Sequence, residues 1–75
     1  MKFIEMTGKT LAEVISQDEM GPEEMDQAGI VDESIVRVNL QGDIEVRRHD
    51  RWDLIGGLIG GFTDRVKEKT GLDFA

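Results

Sequence analysis

The chain contains no cysteine and no tyrosine, and only one proline, one tryptophan and one histidine among its 75 residues. Without cysteine it forms neither disulfides nor thiolate metal sites. No run approaches the roughly 18 apolar residues of a membrane span, and the N-terminus lacks the basic-then-apolar order of a signal peptide. The expected address is therefore the cytoplasm, with no membrane partner. Bases are scarce too, 9 against 16 acids, for a net charge of −7. A hydrophobic share of 39% supplies one core and not several, so residues 1–75 are expected to form a single small domain. A chain this short buries only about 60% of its unfolded surface, which leaves the core marginal unless a partner covers part of it.

What charge there is falls unevenly. Residues 1–34 hold Lys2 and Lys9 against nine acids, whereas residues 35–75 hold seven bases and seven acids. The front half is acidic and the rear half neutral, with Arg47, Arg48 and Arg51 bunched together. Such a field disfavours nonspecific binding of nucleic acid by the whole molecule and leaves room for one local basic contact.

The pattern of apolar residues predicts an α+β fold of short elements. Lys2 to Met6 reads as a strand with a poorly defined face. Thr7-Gly8 ends it, and Thr10 with Glu13 has the spacing of a capping box. Leu11, Val14 and Ile15 then predict a helix over about 11–19. Gly21-Pro22 starts a second short helix over 22–28, with acids in its first turn and Gly29-Ile30 as its C-terminal cap.

Ser34 to Arg48 reads as a β-hairpin, because Val36, Val38, Ile44 and Val46 alternate with polar residues. Placing those four side chains on one face requires a three-residue loop, Leu40-Gln41-Gly42, with Val38 opposite Ile44 and Val36 opposite Val46. That register puts Gly42 at a left-handed position and pairs Arg37 with Glu45 on the outer face.

The remainder, about 50–70, is expected to be one long C-terminal helix packed on the hairpin. Trp52, Ile55, Ile59, Phe62 and Val66 repeat at helical spacing, Asp50 and Asp53 suit its N-terminus, and Lys67, Lys69 and Gly71 suit its end. Against it stand Gly56, Gly57, Gly60 and Gly61, which together cost such a helix roughly 3–4 kcal/mol. Three arrangements would offset this: the bare glycine face packs on the chain's own elements, it packs on a second copy, or the helix breaks there.

Motifs for chemistry are mostly absent. Gly8-Lys9-Thr10 matches the end of a phosphate-binding loop, but Phe3 stands where the loop needs glycine. His49 has acids nearby and no further nitrogen or sulfur ligand. Ser16 and Ser34 lack a nucleophile signature, the paired acids lie in polar turns, and no calcium loop is present. The sequence predicts no enzyme and no cofactor.

Two stretches resemble known families. Residues 2–15, with Thr7-Gly8-Lys9-Thr10-Leu11-Ala12-Glu13-Val14-Ile15, resemble the opening of the small N-terminal domain of Jag-type bacterial RNA-binding proteins. The likeness ends at Gly21-Pro22, and no K homology module follows. Val36 to Leu54, a strand, Gly42, a strand and an arginine-rich corner, is similar in outline to the swapped-hairpin DNA-binding domains of AbrB and MazE type, without the proline that ends their second strand. The leading expectation is a cytosolic interaction module that binds a second copy, as a homodimer, or another protein through the helix face formed by Gly56, Gly57, Gly60 and Gly61. The alternative is a nucleic-acid-binding regulator in which Arg37, Arg47, Arg48 and Arg51 contact phosphates.

Overall fold

Alternation of apolar residues with period two sets the frame. β1 (Phe3–Thr7) turns Ile4 and Met6 inward, β2 (Ile35–Asn39) Val36 and Val38, and β3 (Asp43–Arg47) Ile44 and Val46. In the computed structural model, which describes residues 2–16 and 18–74, these strands join β4 (Trp52–Gly57) in an antiparallel sheet of order β1-β2-β3-β4. Two short helices, α1 (Gly8–Val14) and α2 (Pro22–Gln27), lie between β1 and β2, and α3 (Phe62–Thr70) follows β4. The small α+β architecture is as expected. Leu11 and Val14 of α1, Val66 of α3, Ile30, Leu58 and Phe74 pack with the inward side chains of the sheet in one apolar cluster. The helical layer therefore covers one face of the sheet only.

The β2–β3 hairpin has the predicted register, Val36 opposite Val46, Arg37 opposite Glu45 and Val38 opposite Ile44. Asn39 shapes the loop: its Oδ1 accepts from the backbone N–H groups of Gln41 (2.9 Å) and Asp43 (3.0 Å). Gly42 is constrained twice over. Its φ is +88°, and a Cβ there would lie 2.5 Å from the carbonyl oxygen of Leu58, whose N–H donates to the Gly42 carbonyl at 2.7 Å. Left-handed backbone costs a non-glycine residue about 1–2 kcal/mol before any clash. Gly42→Ala is therefore expected to lower stability by about 2 kcal/mol or more, which a thermal melt of a chain this size reads as a drop of roughly 8–16 °C; an unchanged melting temperature would contradict this turn.

Helix ends follow local chemistry. Thr7, not Thr10, caps α1, its hydroxyl accepting from the Thr10 N–H at 3.2 Å. The helix stops at Val14 rather than near residue 19: Ile15 is extended, and Asp18 and Glu19 lie in a turn in which Glu19 and Met20 both donate to the Ser16 carbonyl. Gln17, within the helix expected over 11–19, lies outside the described residues. α2 ends as predicted: Ile30 N–H reaches the Met25 carbonyl and Gly29 N–H that of Asp26, both at 3.0 Å, the paired bonds of a Schellman cap.

The long helix expected over 50–70 is not formed; only the nine residues Phe62–Thr70 are helical. Residues 52–57 are instead a strand paired to β3, with Ile55 an extra residue that bulges between the Ile44–Gly56 and Glu45–Leu54 pairs. The glycines decide this. Gly56 and Gly57 close the strand, while Gly60 and Gly61 make a turn in which Gly61 takes φ +75° at the start of α3. The helical spacing of Trp52, Ile55 and Ile59 is coincidental, whereas Phe62 and Val66 do share the buried side of a helix. Asp53 does not cap a helix but accepts from Arg48 Nε at 3.1 Å. Lys67, Lys69 and Gly71 end α3 as expected.

Candidate interaction surface

The face of the sheet away from the helices is built by the residues that alternate with the core. One row crosses all four strands as Glu5, Arg37, Glu45 and Leu54, each opposite the next. Beside it Ile35 stands opposite Thr7, and Arg47 opposite Trp52. Arg37 Nε donates to Glu45 Oε1 at 2.7 Å. The same guanidinium carbon lies 3.8 Å from the ring centroid of Phe3 and 4.2 Å from that of Trp52. Arg37 on a central strand thus engages one ring from each edge strand, contacts worth about 0.5–1 kcal/mol apiece at a partly exposed site. Arg47, directly opposite Trp52, lies 5.8 Å from the same ring centroid.

Around this cluster, among charged neighbours, two large apolar side chains are uncovered. Ile35 is 43% exposed and Leu54 62% exposed. Both are large apolar side chains on strands, where a second packed layer is the usual cover.

The candidate residues read from sequence are distributed differently. The four glycines do not form one helix face: a Cβ on Gly56 would touch Met20 Sδ at 3.6 Å, one on Gly57 the Gly42 carbonyl oxygen at 3.8 Å, and those on Gly60 and Gly61 nothing within 4 Å. Arg37 and Arg47 flank Trp52 on the outer face. Arg48 turns elsewhere, pairing with Asp53 and donating to the Ala28 carbonyl at 2.7 Å, at the C-terminus of α2. Arg51 sits in the exposed β3–β4 turn beside Asp50, at 3.5 Å.

A second cluster, between Glu19 and Arg65, escapes sequence reading because 46 residues separate its members. Arg65 Nη1 and Nη2 donate to the two Glu19 carboxylate oxygens, each at 2.8 Å. Oε1 also accepts from Ser16 N–H at 2.9 Å, and Oε2 from Ile59 N–H. Arg65 further donates to the carbonyls of Val14 (3.1 Å) and Ile59 (3.0 Å). The Glu19 side chain is 1% exposed, that of Arg65 30%. The guanidinium, helped by the Ile59 and Ser16 N–H groups and opposed by burial, holds the Glu19 carboxyl down to about 2 from its ordinary 4.5; Glu19 in turn raises Arg65. With its oxygens occupied and no proton to give near neutral pH, Glu19 is a tie between α1, the 58–61 loop and α3 rather than an acid catalyst.

Among the described residues no group of three or more His, Cys, Asp or Glu is arranged to hold a metal ion. No helix there is long and apolar enough to cross a membrane. No protein-family model, curated protein or solved structure matches the chain.

Proposed function

We propose that this chain is a small self-associating interaction module whose contact surface is the outer face of its sheet. The observation that carries this reading is the exposure of Ile35 and Leu54 on the face that also bears Phe3 and Trp52, with the helical layer on the opposite side. A second copy fits because the face is self-complementary. Arg37 and Glu45 are opposite each other on the two central strands, so a twofold axis running between β2 and β3 exchanges them. Each guanidinium of one copy then meets a carboxylate of the other. Four strands about 4.8 Å apart and five residues long give a face of roughly 19 by 17 Å. Stacked on its copy, it covers roughly 650 Å² in all, below the range of stable specific interfaces, so the expected dimer is weak and transient.

Sedimentation equilibrium tests this. The weight-average mass of the wild type is expected to rise from 8.4 kDa toward twice that value at high micromolar concentration, while Leu54→Glu, a change at an exposed side chain, stays monomeric. A wild type that remains monomeric at millimolar concentration overturns the proposal.

The nucleic-acid reading draws less support. Of its four arginines, Arg37 is already paired with Glu45, Arg48 with Asp53 and Arg51 with Asp50. The outer face also carries Glu5, Asp43 and Glu45 beside Arg37 and Arg47, so its balance of charge repels phosphate rather than attracting it.

A further inference from the structure

A groove of about 280 Å³ runs between α1 and α2, far in kind from the sheet face. Ala12, Ile15, Met20, Pro22 and Met25 line it, with no charged side chain among them. Pro22 is shared with an adjoining, more open concavity of about 450 Å³ walled by Gly21, Glu23 and Glu24. An apolar slot and an acidic concavity thus share Pro22 as a wall. Methionine suits such a slot, since its unbranched thioether adapts to different side chains. Glu13, Glu23 and Asp26 beside the groove are exposed and, among the described residues, make no ion pair, whereas Arg48 and Arg65, at the ends of α2 and α1, are each paired with an acid. Two full carboxylates at the start of α2 outweigh the roughly half positive charge of that helix end, so the concavity favours cations.

We infer that this groove docks a basic protein segment, one that places an apolar side chain between Ile15, Met20 and Met25 and a Lys or Arg beside Glu23 and Glu24. The chemistry is that of an amphipathic basic helix or strand, recognised by an apolar anchor with charge alongside. The site is separate from the sheet face, so it stands or falls independently of self-association.

The probe is a fluorescein-labelled twelve-residue amphipathic Lys/Leu peptide, followed by fluorescence anisotropy against the full chain. A Lys/Ser peptide of equal charge and a Glu/Leu peptide of equal apolarity serve as controls. The Lys/Leu peptide is expected to bind and the two controls to fail. Reversing two exposed charges, Glu23→Lys at the proposed cation contact and Asp26→Lys one turn further along α2, should weaken binding about tenfold. Met25→Lys should abolish it, with circular dichroism confirming that the variant folds. Leu54→Glu should bind as the wild type does. Equal binding of the Lys/Ser peptide, indifference to the charge reversals, loss of binding in Leu54→Glu, or no binding of Lys/Leu at millimolar protein would each overturn the inference.

Discussion

Gly8→Ala is expected to destabilise the fold by at least about 3 kcal/mol, since of the chain's glycines Gly8 has the closest obstacle to a Cβ. A Cβ on Gly8 would lie 2.0 Å from the carbonyl oxygen of Val31 and 2.9 Å from Ile30 Cγ2. The nearer obstacle is backbone, and that backbone is held. Gly8 N–H donates to the Ser34 carbonyl at 2.8 Å, Lys9 N–H to that of Asp32 at 3.2 Å, and Val31 N–H to Ser34 Oγ at 2.9 Å. Moving Val31 aside by more than an ångström breaks several of these bonds, at about 1 kcal/mol each, and displaces Ile30 from the core. Alanine's advantage inside a helix, at most about 1 kcal/mol, does not offset this. At roughly 0.05–0.15 kcal/mol per residue the whole domain holds only about 4–11 kcal/mol, so the variant is expected to melt far below the wild type or not to fold. Gly60→Ala is the control, since its Cβ meets nothing within 4 Å and its expected effect is within about 0.5 kcal/mol of zero. Urea unfolding of both variants checks the pair; equal midpoints would contradict the close approach of α1 to the 30–34 segment.

Glu19→Gln is expected to cost about 3 kcal/mol at pH 7. The amide keeps the size of the side chain but leaves the Arg65 guanidinium, 30% exposed, without its counter-charge; breaking buried pairs costs about 3–5 kcal/mol, and partial exposure puts this one at the low end. The pH dependence has a definite sign. The folded-state pKa of Glu19, about 2, lies below the ordinary 4.5. Its contribution is therefore complete above pH 4.5 and is lost as pH falls toward 2. The gap in unfolding free energy between wild type and Glu19→Gln should shrink steadily through that window. A gap that stays constant from pH 7 to 2 would show that the charge on Glu19 contributes nothing.

Much of the fold is legible wherever one residue's conformational need agrees with its neighbours' pattern. The β2–β3 register follows from four apolar side chains that must share a face and a glycine that must take the left-handed turn, and the Gly29-Ile30 and Gly71 caps follow from similar local needs. Residues 50–61 mislead because Trp52, Ile55 and Ile59 fit a helical period while residues 52–57 within them, six residues ending in two glycines, also fit a strand. A nonlocal fact acts with the glycines: β4 pairs with the edge of β3 that β2 leaves free. That misreading moves Trp52 from the outer face to an imagined core, which hides the Phe3–Arg37–Trp52 cluster even though the Arg37–Glu45 pair within it is readable from register. The Glu19–Arg65 tie and the α1–α2 groove depend on tertiary approach and leave no local signal at all.

The central claim is that the bare sheet face is the surface this protein offers to its own copy. Amide and side-chain chemical shifts followed through a dilution series, from millimolar to low micromolar, test it most directly. Concentration-dependent shifts are expected at the Trp52 indole, Phe3, Ile35, Arg37 and Leu54, and not at Ala12, Met25 or Val66 on the helical side. Shifts that do not change with concentration, or that cluster on the helices instead, would contradict it.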